Sequence, residues 1–261
     1  MDKRLALFTR FNNAIRDHLQ PISIGIIGMK DGMPTESSSG TCIQIGARYF
    51  VATCEHMLRD YPNNQLLLVT RHDRHTSTPV IIGRGTDPNF DLGWLELPTD
   101  VVSDTDRTFV PLSKLRLGID HLEHDFVVLH GFPTALVQLQ HAERGIGVQP
   151  ICYATGTITD PEQIATVDSS RDIYLAYPDD DLTRSDGASM RGIEAFGVSG
   201  GGIWSADANR DGVWTPDACK LIGIETSWLR FKWVRGIQIQ HWLDLVRQDI
   251  PELAPEIDAV R

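Results

Sequence analysis

Short apolar runs separated by turn-forming residues fill most of this chain, and a helical spacing of apolar residues marks each of its ends. Near the start, Leu5, Phe8, Ile15 and Leu19 fall on one face of a helical wheel and are followed by a proline. This pattern predicts an amphipathic helix over residues 3–19. Residues 236–246 have the same kind of spacing and predict a closing helix.

Between the two helices, apolar segments bounded by Gly, Pro, Asn and Asp predict β-strands. The strands fall into two groups, separated by the mixed, charged residues 104–124. We therefore expect a chain that is mostly strand. The predicted strands cover residues 22–28, two segments through Ile45 and Ala52, 65–70, 79–85, a segment after Asp91, 126–130, 135–140, 147–158, 173–177 and 221–228.

The candidate chemistry begins at Ser199, which stands among glycines in residues 196–204. Glycines let the backbone turn sharply, so neighbouring N–H groups can converge while the hydroxyl stands clear. A serine alcohol is a weak nucleophile and needs a histidine base oriented by a carboxylate. The best candidates are His56, at the end of one apolar strand, and Asp91, at the entry of another.

In the order His, Asp, Ser, these segments resemble the chymotrypsin-like serine peptidases, especially their shorter bacterial trypsin-like members. The family motifs are Thr-Ala-Ala-His, Asp-Ile-Ala-x-Leu and Gly-Asp-Ser-Gly-Gly-Pro. Here they read Thr-Cys-Glu-His at 53–56, Asp-Leu-Gly-Trp-Leu at 91–95 and Gly-Val-Ser-Gly-Gly-Gly at 197–202. Gly-Phe-Pro at 131–133 is similar to a bacterial Gly-Tyr-Pro turn. The resemblance spans about residues 22–245 and depends on the order and spacing of the motifs.

The resemblance implies an all-β fold of two six-stranded antiparallel β-barrels, with an N-terminal and a C-terminal helix added to them. A chain of 261 residues is long enough for both barrels. The expected divisions are an N-terminal helix (1–21), a first barrel (22–103), a linker (104–124), a second barrel (125–236), and a C-terminal helix and tail (237–261).

The activity that the resemblance implies is serine endopeptidase cleavage of a polypeptide through an acyl-enzyme. Ser199 would attack the carbonyl, His56 would transfer the proton, and Asp91 would orient the imidazole. The backbone N–H groups of Gly197 and Ser199 would form the oxyanion hole. Esterase activity on the same triad and a catalytically silent peptidase-fold module that binds a peptide or protein partner are the alternatives.

Family spacing puts the base of the substrate pocket at Ile193, with Glu194 beside it. Ile193 favours an apolar substrate residue, whereas a slip of one position would bring in Glu194 and favour a basic one. The other pocket wall falls in the segment Glu225-Thr226-Ser227-Trp228, with Thr226, Ser227 and Trp228 as the candidate pocket residues. The alignment of both pocket walls with the family pattern stays open.

Three positions depart from the family pattern. Val198 replaces the aspartate that pairs with a freed N-terminus in members activated by cleavage, so that switch is excluded. The oxyanion hole is then either formed constitutively or controlled by a regulatory partner. Glu55 replaces a small residue beside the base, and Gly202 replaces a proline after the serine.

The peptidase chemistry requires no metal or organic cofactor, but one insertion resembles a calcium loop. Asp207, Asn209 and Asp211 alternate before a glycine, as the first ligands of such a loop do. Ala218 stands where the bidentate Glu belongs, with Asp217 one position earlier. A hairpin turn explains the same residues, so calcium stays an alternative to it.

The net charge of −11 argues against nucleic acid and anionic membranes as partners. The opening residues are too polar for a signal core, and no apolar run has the length of a membrane span. We therefore expect a cytoplasmic protein in which the four cysteines stay reduced.

Overall fold

The computed structural model describes residues 3–70, 76–77, 80–118, 126–140, 145–164, 166–179, 182–183, 189–206 and 215–261. The predicted N-terminal helix is present as α1 (Lys3–Leu19), followed by a short 3-10 turn at Gln20–Ile22. Within this described part of the chain, no helix combines the length and the apolar character needed to cross a bilayer.

The N-terminal half forms one sheet. Its strands are β1 (Ser23–Lys30), β2 (Met33–Ile45), β3 (Arg48–Thr53), β4 (Leu66–Val69), β5 (Thr76–Ser77), β6 (Gly83–Asp87), β7 (Leu92–Leu97) and β8 (Val110–Pro111). The order is β5-β4-β1-β2-β3-β7-β6, and β8 pairs in parallel with β2. Two short helices lie between strands, α2 (Glu55–Asp60) and α3 (Thr99–Ser103).

The C-terminal half forms a second, antiparallel sheet of six strands in the order β12-β9-β16-β17-β18-β13. They are β9 (Phe126–Gly131), β12 (Ile151–Thr155), β13 (Asp172–Ala176), β16 (Gly202–Ala206), β17 (Cys219–Leu229) and β18 (Trp233–Gln238). Two hairpins accompany the sheet: β10 (Val137–Gln140) with β11 (Gly145–Val148), and β14 (Leu182–Thr183) with β15 (Ser189–Met190).

These two sheets confirm the predicted all-β, two-barrel fold of the chymotrypsin-like type. In the described residues, each sheet contains six strands of four or more residues, and the two-residue strands β5 and β8 extend the first sheet. β8 arises in the segment predicted as a connection, because its backbone pairs with Ile43 and Gln44 of β2.

The closing helix begins later than predicted. Strand β18 pairs with β13 through Ile237 and with β17 through Gln238, so residues 236–238 belong to the sheet and not to a helix. Helix α4 (Ile239–Asp249) follows directly, and a 3-10 turn at Pro251–Leu253 leads to α5 (Ala254–Asp258). The apolar spacing continues across the junction, so it could not mark where the strand ends.

The hydrophobic core has a separate cluster inside each sheet and a larger one that joins them. The joining cluster contains Ile15 of α1, Trp242 of α4, Phe50 of the first sheet and Trp204 of the second. The buried indole of Trp242 also donates a hydrogen bond to the Gly93 carbonyl, at 3.0 Å. Both terminal helices are therefore part of the core that sets the two sheets against each other.

Buried polar side chains reinforce this junction. The Arg107 guanidinium donates hydrogen bonds to the carbonyls of Val69, Gln20 and Ser23, at 2.7 to 3.2 Å. The Ser23 hydroxyl lies 2.8 Å from Nδ1 of His130. His130 belongs to β9, so this hydrogen bond connects the first sheet to the second.

The buried imidazole of His130 should make folding stability fall in acid. Burial, helped by the charge of Arg107, lowers the pKa of His130 from 6.5 to about 3. Below pH 6.5 the unfolded chain therefore binds a proton at this residue that the folded chain excludes until about pH 3. We expect the free energy of unfolding to fall as the pH decreases. This fall should be steeper in the wild type than in His130→Gln, by about 1.4 kcal/mol per pH unit.

Urea denaturation between pH 4 and 7 measures this difference. The matched control is His241→Gln, which removes an imidazole at the surface and should keep the wild-type slope. Equal slopes in the wild type and His130→Gln would contradict the prediction.

Candidate active site

Asp91 organises the segment that contains His56. The residue before α2, Cys54, provides no side-chain cap for the helix, so the first N–H groups need other acceptors. Asp91 supplies them: its carbonyl accepts from the Glu55 N–H at 3.2 Å, and its Oδ1 accepts from the His56 N–H at 3.0 Å. The N-terminus of α2 is thus tied to the entry of β7.

The same carboxylate holds the imidazole. Nδ1 of His56 lies 3.0 Å from Oδ1 and 2.8 Å from Oδ2 of Asp91. Asp91 has a φ of 54°, a left-handed conformation that L-residues other than Asn and Asp seldom adopt. Hydrogen bonding to Asp91 is the largest cause that raises the pKa of His56 above its ordinary value. The structure thus brings these two predicted site residues together.

The other imidazole nitrogen faces a thiol. Nε2 of His56 lies 3.4 Å from Sγ of the buried Cys54, which also contacts the Ser38 hydroxyl at 3.2 Å. This contact is the second cause that raises the pKa of His56. Glu55 turns away from the base and pairs with Arg59 at 2.9 Å. The sequence motif therefore changes the surroundings of His56 through Cys54 and not through Glu55.

The loop that contains Ser199 is held by strand β2 of the other sheet. The Ser199 carbonyl accepts hydrogen bonds from the Ser39 N–H at 2.8 Å and from the Ser38 hydroxyl at 2.5 Å. The Ser39 hydroxyl donates to the Gly197 carbonyl at 2.8 Å. A Cβ at Gly200 would overlap the Ser39 carbonyl. The close approach of loop and strand therefore requires glycine beside the serine.

The peptide between Phe196 and Gly197 has a fixed orientation. The Phe196 carbonyl accepts from the Thr134 N–H at 2.7 Å. Because N–H and C=O point in opposite directions across a trans peptide, the Gly197 N–H points away from Thr134. Gly197 has a φ of 85°, and a Cβ there would lie 2.6 to 2.9 Å from atoms of Thr134 and Phe132. Val198 is fully buried and forms part of the core of the second sheet.

Ser199 and His56 are not joined to each other in this structure. Among the described residues, the hydrogen bonds of Ser199 run through its carbonyl, and Nε2 of His56 contacts Cys54. Burial raises the pKa of the Glu225 carboxyl group to about 8, and the nearby Ser199 hydroxyl lowers it in part, without a hydrogen bond of standard geometry in the described residues.

Glu225 begins the segment predicted as a pocket wall, but its place beside Ser199 was not predicted. It follows the apolar residues 221–224 in β17 and is fully buried. A lone acidic residue in such a run was the available signal. Its proximity to Ser199 depends on strand register, which the local sequence does not reveal.

The predicted pocket residues have several different environments. The Ile193 carbonyl accepts from the Tyr177 hydroxyl at 2.6 Å, and the Glu194 carboxylate pairs with Arg230 at 2.6 Å. Trp228 packs edge-on against the exposed Phe196, with 5.2 Å between ring centroids. Thr226 is buried, and Ser227 pairs with Arg235 across the sheet. Their assignment to a substrate pocket stays a prediction.

The calcium alternative also stays a prediction. Asp207, Asn209 and Asp211 lie outside the described residues. Asp217 is described, and its carboxylate pairs with Lys114 at 3.1 Å. Within the described ranges, no three His, Cys, Asp or Glu side chains are grouped so that they could hold a metal ion.

No family model matches this chain, and no curated protein matches its sequence. Its structure is similar to the crystal structure of the serine endoprotease from Yersinia pestis, with a TM-score of 0.53 and 15% sequence identity. The alignment covers 92% of this chain and 66% of that protein. At this identity the similarity shows a protease-like fold, and it says nothing of individual residues.

Removing the thiol of Cys54 should lower the pKa of His56, because the contact with Cys54 raises it. We expect Cys54→Ala to move the imidazole titration to lower pH, as measured by NMR of the ring protons and nitrogens. Cys152→Ala, in the second sheet, is the matched control and should leave the titration of His56 in place. An unchanged midpoint in Cys54→Ala would contradict the contact.

Proposed function

We propose that this chain is a serine endopeptidase that cleaves polypeptides through an acyl-enzyme, with Ser199, His56 and Asp91 as the catalytic triad. The single observation that carries the proposal is the pair of contacts from Nδ1 of His56 to the Asp91 carboxylate, at 2.8 and 3.0 Å, within a protease-like fold. This contact fixes the tautomer and leaves Nε2 to exchange protons with a hydroxyl.

In the proposed reaction, Oγ of Ser199 attacks the substrate carbonyl while Nε2 of His56 takes the hydroxyl proton. Asp91 stabilises the resulting imidazolium. The tetrahedral intermediate then collapses, the amine leaves with the proton from Nε2, and water repeats the sequence on the acyl-enzyme. The chain supplies every group for these steps, so the proposal needs no cofactor.

The Gly197 and Ser199 N–H groups are proposed as the oxyanion hole, each worth about 2.7–4 kcal/mol in the transition state. The hydrogen bond from the Thr134 N–H to the Phe196 carbonyl supports this role, because it keeps the Gly197 N–H free. Ser39 and Thr134 hold the loop without a freed N-terminus. This favours a constitutively formed hole over activation by cleavage.

A catalytically silent module that binds a peptide or protein partner is the second candidate function. It is favoured by one observation: Ser199 and His56 interact with Glu225 and Cys54 and not with each other. Reactivity of Ser199 towards an active-site-directed probe separates the two candidates.

We expect a fluorophosphonate probe to label the wild type and to leave Ser199→Ala unlabelled. His56→Ala should reduce peptide hydrolysis roughly 10⁶-fold, because it removes the proposed base. Ser103→Ala, a surface serine of α3, is the control and should react as the wild type does. Mass spectrometry of the labelled protein and of a digested peptide library measures both effects. Labelling that persists in Ser199→Ala would contradict the proposed nucleophile.

Gly197→Ala should impair catalysis more than binding. The new methyl group would clash with Thr134 and Phe132 and would strain a residue at a φ of 85°, which displaces a proposed oxyanion donor. We expect kcat to fall roughly 10²–10³-fold with a smaller change in KM. Gly156→Ala, where a Cβ meets open space, should keep wild-type kinetics. An active Gly197→Ala enzyme would show that this N–H is not needed.

A further inference from the structure

Glu225 lies beside the nucleophile because of how its backbone pairs. Its N–H donates to the Gly201 carbonyl at 2.8 Å, and its carbonyl accepts from the Gly200 N–H at 2.8 Å. The register between β17 and β18 shifts immediately after Glu225, between it and Ser227. Such a bulge redirects side chains, and bulges are common next to active sites.

The carboxylate of Glu225 is buried without a regular partner. The residue is 0% exposed, and both carboxylate oxygens lack a hydrogen bond of standard geometry in the described residues. No positively charged side chain pairs with it in that part of the chain, unlike Glu96, which Arg48 holds at 2.5 Å. An unpaired acid in this position does not stabilise the fold more than an apolar side chain would.

The groups that interact with Glu225 belong to the site. The Ser199 hydroxyl and the charge of His56 lower its pKa, and the charge of Asp91 raises it. Tyr177 is a further titratable neighbour: burial raises the pKa of its phenol, and the charge of Glu225 adds to that rise. The carboxylate is therefore coupled to all three members of the proposed triad.

We propose that Glu225 is a positioning residue that controls which partner receives the hydroxyl hydrogen of Ser199. The proposal rests on the proposed peptidase function. Ionised Glu225 only accepts hydrogen bonds, so it competes with Nε2 of His56 for the single hydroxyl hydrogen. Protonated Glu225 becomes a donor to Oγ, and the hydroxyl is then free to point at His56.

Two ionisations then affect the activity in opposite directions as the pH rises. His56 must be neutral to act as base, so activity rises with pH through its raised pKa. Glu225 must be protonated to release Ser199, so the released fraction of Ser199 falls as pH rises through a pKa of about 8. Because the pKa of His56 is raised to about 11, the two effects offset each other above pH 8 and the activity levels off there. The productive state has a neutral imidazole and a neutral carboxyl group together. In the wild type, Glu225 ionises at a lower pH than the pH at which His56 loses its proton. The productive state is therefore a minor population at every pH.

The test compares Glu225→Gln and Glu225→Met with the wild type in the rate of fluorophosphonate labelling between pH 6 and 10. Both variants remove the charge, so their labelling rate should keep rising with pH above 8, where that of the wild type levels off. At pH 9, one unit above the pKa of about 8, only about one tenth of wild-type Glu225 is protonated, so the variants should react roughly tenfold faster. At pH 6 the rates should be equal.

The matched control is Glu162→Gln, the same change at an exposed acid paired with Lys232, which should keep the wild-type profile. Thermal denaturation of each variant shows whether it is folded. Labelling that is slower in both folded Glu225 variants, or that levels off above pH 8 as in the wild type, would overturn the role of Glu225 and leave the proposed peptidase standing.

A second measurement does not depend on activity. The ¹³C carboxyl resonance of Glu225, assigned by its absence in Glu225→Gln, should titrate near pH 8 in the wild type. It should move to higher pH in Ser199→Ala, because the hydroxyl lowers this pKa. An unmoved midpoint overturns the contact between the two residues. If no variant is labelled at any pH, the peptidase function fails and the role of Glu225 fails with it.

Discussion

The carboxylate of Asp91 is the constraint from which the geometry of the candidate site follows. It accepts from the backbone N–H of His56 and from Nδ1 of the same residue, so it caps α2 and orients the imidazole together. The left-handed conformation of Asp91 makes both contacts available to one side chain. Loss of the carboxylate would therefore disturb a helix end and the base at once.

The nucleophile depends on a different constraint, the contact between the two sheets. Ser199 belongs to the C-terminal half, but Ser38 and Ser39 of the N-terminal sheet hold its carbonyl. The hydrophobic cluster that joins the sheets and the hydrogen bond between Ser23 and His130 hold the two sheets together. Because His56 and Ser199 come from opposite sheets, the proposed site forms only when both halves of the chain are folded.

The sequence predicts the local secondary structure, but it does not predict contacts that depend on strand register. Alternation and turn residues predict the strands, and the motifs around His56 and Asp91 predict a contact that the structure contains. The start of α4 is wrong by three residues, because the apolar spacing of 236–246 fits both a strand end and a helix face. The positions of Cys54 beside His56 and of Glu225 beside Ser199 were not predicted, since they depend on packing and strand pairing.

Glu96 and Glu225 show how a buried acid that supports the fold differs from one that the fold does not need. Glu96 is nearly buried, and Arg48 neutralises it through two hydrogen bonds, at 2.5 and 2.7 Å. Glu225 is buried more completely, lacks such a cation, and has its pKa raised to about 8. Desolvation without a partner destabilises the ionised state. Because packing alone would favour an apolar residue in β17, we attribute the carboxyl group to its proposed role beside Ser199, next to which the backbone bonds to Gly200 and Gly201 place it.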